Sequence, residues 1–278
     1  MKLFKYVFLV NFSLLCIPYQ SFSVDTSQPN VAAIEQRADA GDLTALFGLG
    51  AMYYTGKGVT QDYSKAREYF QKADEKNSKE AQFILGIMYY KGDGVTQDYS
   101  KAIEYFKKAA DQNFAQAQSS LGTMYYLGKG IPQDYSKAIE LFTKSADQGF
   151  AQAQLSLGMM YYEGQGVSKD YSKAIAYFTK AADQGFAKAQ FCLGSMYYEG
   201  KGVPRDPIKA MEYFQKAADQ GDMQSQVNLG IIYRDGILVH MNYPKAMEYF
   251  QKAAAQGSEQ AKFNINIMKD SKLLQHHD

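Results

Sequence analysis

Residues 81–110 read AQFILGIMYYKGDGVTQDYSKAIEYFKKAA, and this stretch decides the fold because variants of it recur along the chain. Its Leu-Gly-x-Met-Tyr-Tyr string starts at Leu85, and its Lys-Ala pair starts at Lys101. Both recur with a period of 36 residues, so six copies fill residues 42–257. The copies span 42–77, 78–113, 114–149, 150–185, 186–221 and 222–257. Such regularity predicts a repeat array with no separate catalytic domain.

Each copy is predicted to form two amphipathic helices. In the second copy two sets of residues follow the i, i+3, i+4, i+7 spacing of one helical face: Ala81, Leu85, Met88 and Tyr89, then Ala102, Tyr105, Phe106 and Ala109. Gly92 and Gly94 lie between the sets and favour a left-handed helix end. Asp98 is placed to cap the second helix, and Gly149 and Gly185 are predicted to end that helix in their copies.

Two such helices cannot bury their apolar faces alone, so the copies are predicted to stack side by side. Small residues such as Gly86 and Ala109 would let the backbones approach, while Tyr89 and Phe106 fill the space between them.

Both ends of the repeat array are predicted to be closed by capping helices. Residues 24–41 are predicted to hold a capping helix like a second helix, and residues 258–278 a capping first helix, with Asn266 in place of the glycine, and a tail.

The repeated string resembles the Sel1-like repeat, a relative of the tetratricopeptide repeat. It reads here as Ala117-Gln118, Leu121 to Tyr125, Gly128 to Ile131 and Asp134 to Ala138. The resemblance implies an all-α fold, a right-handed α/α superhelical solenoid of six helix-turn-helix repeats. It also implies an exported bacterial adaptor that binds a protein or peptide, in some pathogens a host protein. One exported subgroup with a disulfide in each repeat is linked to β-lactam binding, but this chain lacks those paired cysteines.

The N-terminus reads as a secretory signal peptide covering residues 1–23. Lys2 and Lys5 precede an apolar run that is too short for a comfortable membrane span. Ser21 and Ser23 suit cleavage before Val24. An uncleaved anchor and a buried N-terminal helix are the alternatives. After cleavage no stable membrane insertion is expected, and the protein would work in the periplasm, at the cell surface or outside the cell.

Composition argues against several classes of function. The net charge of +1 is too small for strong electrostatic attraction to the phosphate backbone of nucleic acid. The Gly-x-Gly strings follow helices rather than strands, so they are not phosphate loops. The three histidines (His240, His276 and His277) lack metal-ligand spacing, and no serine has a lysine three places later. We therefore expect no catalytic residue, no cofactor and no metal; Cys192 reads as a small residue of a helix face.

Two rows of side chains on the first helices, one of methionine and tyrosine and one of tyrosine alone, have different predicted roles. Met88 and Tyr89, with their counterparts, are predicted to pack in the core, although a cofactor channel is conceivable. The second tyrosines are Tyr54, Tyr90, Tyr126, Tyr162 and Tyr198. They point away from that face, and they could either pack between neighbouring copies or present hydroxyls to a partner.

The copies differ most along one face of the first helix, which we call the first-helix stripe. If the first helices line a concave surface, the stripe is a partner-binding groove, graded from apolar and basic to acidic; tolerant exposed positions are the alternative. Its members are Glu80, Ile84, Ile87, Lys91, Gln116, Ser120, Thr123, Leu127, Gln152, Ser156, Met159, Glu163, Lys188, Cys192, Ser195, Glu199, Asn228, Ile231 and Asp235. The sixth copy also replaces its turn by Gly236 to Asn242, a more apolar loop that is either a partner contact or sequence drift.

These observations favour a non-enzymatic, exported scaffold that holds a protein or peptide partner in the groove, with a host-cell protein as one candidate. A periplasmic factor for envelope assembly or maintenance is the alternative. A hydrolase of β-lactams or peptidoglycan is a remote alternative without candidate residues.

Signal cleavage can be checked directly. We expect the chain recovered from a bacterial envelope fraction to begin at Val24, because the small residues at Ser21 and Ser23 suit the peptidase. Intact mass and N-terminal sequencing measure this. A Ser23→Arg variant should keep Met1. Recovery of the unaltered chain with Met1 still attached would instead favour the anchor.

Overall fold

The computed structural model describes residues 31–237 and 239–270, and the regular structure in these ranges is entirely helical. The signal segment 1–23, residues 24–30 of the first cap, and the tail from Ser271 lie outside the described residues. The helices are α1 (Val31–Asp39), α2 (Leu43–Thr55), α3 (Tyr63–Glu75), α4 (Lys79–Lys91), α5 (Tyr99–Asp111), α6 (Ala115–Leu127), α7 (Tyr135–Asp147), α8 (Ala151–Glu163), α9 (Tyr171–Asp183), α10 (Ala187–Glu199), α11 (Pro207–Asp219), α12 (Met223–Asp235), α13 (Tyr243–Ala255) and α14 (Glu259–Asp270).

The chain forms two compact units, the first ending at Phe150 and the second beginning at Ala151. The first unit contains α1 to α7 and the second α8 to α14. Within each unit every helix packs against the helices that precede and follow it in the chain. Each unit is therefore a stack of helical hairpins, and the predicted all-α solenoid class is confirmed. The right-handed superhelical path stays a prediction.

Local signals set the helix ends as predicted. Gly92 ends α4 in the left-handed region at φ 85°, and its N–H donates to the carbonyl of Met88. The Asp98 carboxylate accepts from the Lys101 N–H at 3.0 Å and so caps α5. Gly149, with φ 87°, follows the last residues of α7. In the first two copies asparagine takes the same role, since Asn77 and Asn113 also have positive φ.

A glycine–phenylalanine contact holds each hairpin together. The first-helix glycine faces the phenylalanine of the second helix in the same repeat, and this ring is at most 2% exposed. A Cβ added at the glycine would lie 2.5 to 3.0 Å from the ring. The pairs are Gly50–Phe70, Gly86–Phe106, Gly122–Phe142, Gly158–Phe178, Gly194–Phe214 and Gly230–Phe250. The expectation that this glycine serves stacking between copies is thus corrected, since its close contact lies inside one copy.

The predicted core faces are confirmed with one difference. Ala81, Leu85, Met88, Ala102 and Phe106 are fully buried. The tyrosine of the first helix stacks on a second-helix tyrosine, with ring centroids 5.7 to 5.9 Å apart and planes within 9°. It is half-buried in all these pairs except that of Tyr233, which is buried. The stacked pairs are Tyr53–Tyr69, Tyr89–Tyr105, Tyr161–Tyr177, Tyr197–Tyr213 and Tyr233–Tyr249. A lysine ammonium lies over these rings, as Lys101 does over Tyr89 at 5.1 Å.

The predicted caps follow the repeat pattern. Helix α1 packs on α2 as the second helix of a preceding repeat would, and its Ala38 is buried. Helix α14 is a first helix with Ala261 and Met268 buried and Asn266 at the glycine position. Its opposite face leaves Phe263 65% exposed.

Two glycines of α2 give a matched test of the hairpin contact. Gly50→Ala should lower the free energy of unfolding by about 1–3 kcal/mol, because its methyl group would lie 2.6 Å from the Phe70 ring. Gly48→Ala meets no atom within 4 Å, so it should raise the free energy of unfolding by about 0.5–1 kcal/mol through helix propensity alone. Urea unfolding followed by circular dichroism measures both. Equal effects of the two changes would contradict the contact.

Candidate functional site

The inner positions of the first-helix stripe lie in the packed interior. These eight side chains are at most 8% exposed: Ile84, Ile87, Ser120, Thr123, Ser156, Met159, Cys192 and Ser195. In the first unit Ile84 and Ile87 belong to the main hydrophobic cluster. They are buried because each first helix of a stack has neighbours on both sides, which cover the middle of this face. A partner cannot reach these residues without displacing the core.

The outer positions of the stripe are accessible. The ends of the first helices carry the exposed or half-buried members Glu80, Lys91, Gln116, Leu127, Gln152, Glu163, Lys188, Glu199 and Asp235. In the sixth copy Asn228 and Ile231 are also half-buried. Within each unit, the reachable stripe therefore consists of two margins, one along each end of the first helices, separated by buried side chains. Binding of a partner there stays a prediction.

Several polar stripe residues have partners within the protein. The Lys188 ammonium lies 2.7 Å from a carboxylate oxygen of Asp222, whose side chain is almost fully buried. Asp222 also accepts from the N–H and the hydroxyl of Ser225, so it caps α12. The Thr123 hydroxyl donates to the carbonyl of Ser119 four residues earlier. These residues stabilise helices and contacts between repeats, which explains why they are polar without a partner protein.

The acidic end of the stripe is largely neutralised. Glu199 pairs with Lys201 at 2.6 Å, and Asp235 pairs with Arg234 at 2.5 Å. Burial raises the pKa of the Glu163 carboxyl, so this group holds its charge less strongly than an exposed glutamate does. The gradient of charge predicted from the sequence is thus weaker in the structure than the residue types suggest.

The second tyrosines pack against the turn of the following repeat. In all but Tyr198, the ring lies 5.4 Å from a tyrosine at the start of the second helix of the same repeat, as in Tyr54–Tyr63. The Tyr54 hydroxyl donates to the Asp93 carboxylate at 2.6 Å, and the Lys129 ammonium donates to the Tyr90 hydroxyl at 3.0 Å. Burial and the bond to Asp93 raise the pKa of Tyr54. Of the two predicted roles, the structure supports packing between copies for Tyr54, Tyr90 and Tyr162.

Buried glutamines form a polar link that the sequence reasoning missed. Gln118 accepts at Oε1 from Nε2 of Gln148 at 2.7 Å, across the hairpin of the third repeat. Its own Nε2 donates to the Ala110 carbonyl of the preceding repeat at 3.4 Å. The other pairs are Gln82–Gln112, Gln154–Gln184, Gln190–Gln220 and Gln226–Gln256. The spacing of 30 residues between two glutamines in each of copies two to six could have revealed this link.

The described residues offer no arrangement suited to metal-dependent or thiol chemistry. No cluster of three or more His, Cys, Asp or Glu side chains is found among them. Cys192 is a free cysteine that is fully buried, and burial raises the pKa of its thiol well above the ordinary value. His276 and His277 lie outside the described residues. A search of the described helices finds none of the length and apolarity needed to cross a bilayer.

Comparison with protein families gives a match over most of the chain. The model of the Sel1 repeat matches residues 43–78, 79–114, 115–150, 151–186, 187–222 and 224–258. Five of these windows begin one residue after the boundaries drawn from the sequence, and the sixth begins two residues after. Among curated proteins, none matches the chain.

Solved structures resemble the chain closely. The protein c5321, described as a protective antigen present in uropathogenic Escherichia coli strains, has 35% identity and a TM-score of 0.80 over 88% of this chain. The match covers 52% of c5321, so this chain spans about half of its length. A Sel1 repeat protein from Oxalobacter formigenes has 32% identity and a TM-score of 0.76, covering 82% of this chain and 100% of that chain. Yeast Tom70, at 19% identity and a TM-score of 0.52, covers 87% of this chain and 51% of its own and shares the fold alone.

The burial of Cys192 yields a kinetic prediction. In a full-length Cys16→Ser variant, we expect a thiol reagent to label Cys192 only as fast as the second unit opens, because the thiol is both inaccessible and protonated. Absorbance at neutral pH with and without urea measures the rate. Rapid labelling of the folded chain would contradict the buried position. A Ser258→Cys variant serves as a second buried site with the same expected protection.

Proposed function

The chain belongs to the Sel1 repeat family, and from this premise we propose that it is a non-enzymatic, exported scaffold whose first-helix margins hold a protein or peptide partner. Proteins of this family are generally protein-interaction scaffolds and typically lack catalytic activity. The proposal adds the surface, the compartment and the class of partner.

The observation that carries the proposal is the contrast between inner and outer stripe positions. The inner positions are buried and serve packing, whereas the outer positions vary from Lys91 to Leu127 to Glu199 without a shared structural role. Lys91 and Leu127 end equivalent helices, so one surface presents different chemistry in successive repeats. Preformed helices that present varied side chains can bind a partner with little loss of ordering entropy in the scaffold.

Export and contact with a host protein are the finer parts of the proposal. Export is supported by the signal-like residues 1–23. A host partner is supported by likeness to c5321, which is described as a protective antigen of uropathogenic strains. That protein is about twice as long as the matched region, so its properties enter here only as support for a proposal.

The test compares two triple variants in a crosslinking pull-down. The stripe variant carries Lys91→Glu, Leu127→Ser and Glu199→Gln at outer positions. The control carries the same kinds of change elsewhere, as Lys107→Glu, Glu212→Gln and Phe263→Ser, and all three control positions are exposed. We expect the unaltered chain and the control to capture the same partner, and the stripe variant to lose at least about 90% of the capture, as for substitution of interface hot spots.

The pull-down uses host-cell extract and bacterial envelope extract in parallel. Capture from the host extract supports the host partner, and capture from the envelope extract supports the alternative of an envelope factor. Equal capture by both triple variants would remove the stripe from the proposal. Hydrolysis of a chromogenic cephalosporin by the unaltered chain would contradict its non-enzymatic character.

A further inference from the structure

The junction between repeats five and six lacks two contacts that the junction between repeats four and five has. In the junction before it, the Lys201 ammonium donates to the Tyr162 hydroxyl at 2.8 Å, and the Tyr162 ring lies 5.4 Å from that of Tyr171. Tyr198 is the equivalent of Tyr162. One repeat later in the chain, Ile237 occupies the position of Lys201, and Pro207 occupies the position of Tyr171. Tyr198 therefore has neither of these partners.

The backbone at Ile237 follows the path of the regular turns. Its N–H donates to the carbonyl of Ile232 at 3.3 Å, as the N–H of Lys201 donates to Met196 at 3.0 Å. Gly236 precedes it in the left-handed region, with φ 62°. Because the two backbones match, the Ile237 side chain starts where Lys201 starts. It therefore presents an apolar group at the position where the other repeats have Lys, Asp or Gln.

Two further replacements expose apolar side chains at the same end of the hairpins. Ile208 is 66% exposed and stands where four other repeats have serine; Met241 is 57% exposed and stands where three repeats have glutamine. That glutamine donates from Nε2 to a backbone carbonyl, as Gln133 does to Tyr126 at 2.8 Å. Methionine cannot make this bond; its Cγ lies beside Gly236 and its sulfur accepts from the Tyr243 hydroxyl at 3.6 Å, but more than half of the side chain stays exposed. Burial in the core does not account for either replacement, because both side chains are more than half exposed.

The local charge at this junction is positive. Glu199 and Asp235 have cationic partners, and Asp206 caps α11 by accepting from the Lys209 N–H at 3.0 Å. Arg205 donates one N–H to the Tyr198 carbonyl at 3.1 Å, with its guanidinium 5.6 Å from the ring of that tyrosine. Among the described residues no carboxylate lies within ion-pair distance of Arg205. A guanidinium with free donors thus stands beside exposed apolar groups.

From this placement we propose that Tyr198, Arg205, Pro207, Ile208, Ile237 and Met241 form a docking site, the turn patch. Its partner is a protein segment that carries a large apolar side chain next to a carboxylate. Tyrosine, arginine and methionine are among the side chains enriched at protein interfaces, and the guanidinium fork matches a carboxylate in geometry and charge. The turn patch is distinct from the first-helix stripe, so either surface can fail its test while the other stands.

The test uses a phage-displayed library of random peptides selected on the full chain. We expect enriched peptides to combine Asp or Glu with Leu, Ile, Phe or Met. One of them, made synthetically with a fluorescent label, should bind the unaltered chain in a polarisation assay. The variant carries Ile208→Ser, Ile237→Lys and Met241→Gln, each of which installs the residue found at the same position in other repeats. It should remain folded and bind at least about tenfold more weakly.

Controls separate the turn patch from other apolar surfaces. Phe263→Ser removes a side chain of nearly the same exposure, 65%, on α14 and should leave peptide binding unchanged. Arg205→Gln should weaken acidic peptides selectively, leaving uncharged analogues unaffected. The proposal is overturned if no peptide is enriched, if enriched peptides lack acidic residues, or if the triple variant binds as well as the unaltered chain. Binding to anionic phosphatidylglycerol vesicles that the triple variant abolishes would overturn it in favour of a membrane surface.

Discussion

The contact between a first-helix glycine and a second-helix phenylalanine is the constraint on which the remaining structure depends. Each buried ring rests where a Cβ would stand, so the two helices of a repeat approach more closely than side chains of ordinary size allow. The contact fixes the spacing inside the hairpin, and the stacked tyrosines and paired glutamines then hold neighbouring elements at matching distances. Since core packing is dense and steric overlap is costly, this contact leaves little freedom at the positions around it.

This constraint separates the residues that serve folding from those free to serve binding. The phenylalanine, alanine and glutamine positions are buried in copy after copy, and the middle of the first-helix stripe is buried with them. What remains variable and accessible is confined to the helix ends and the turns. The two surfaces with proposed roles both lie there. In a scaffold of this kind the binding surface can vary only at the helix ends and turns, because the helix faces are buried against the neighbouring helices.

The sequence predicted the fold well because its signals are local and repeated six times. The helix faces, the Asp98 cap and the left-handed Gly92 follow from spacing and residue type alone. The site was harder to predict, since helical spacing shows which residues share a face but not which neighbours cover it. Ile87 and Lys91 share one face, yet Ile87 is 1% exposed and Lys91 is exposed. The long-range partners of Gln118 and Tyr54 likewise depend on stacking between repeats, which no single repeat encodes.

The tyrosine hydroxyl at the junctions between repeats has a consequence for how such chains change in length. It donates to Asp93 in one junction and accepts from Lys129 in the next, because a phenol O–H can do either. The same residue therefore joins turns of opposite charge without any change of its own. Within a unit, a recombination event that inserts or deletes one 36-residue copy would bring a new turn against an old tyrosine. The junction would still form a hydrogen bond wherever that turn carries Asp or Lys at the position of Asp93 and Lys129. At such junctions a gene for this kind of protein can grow or shrink by whole repeats without a compensating substitution of the tyrosine.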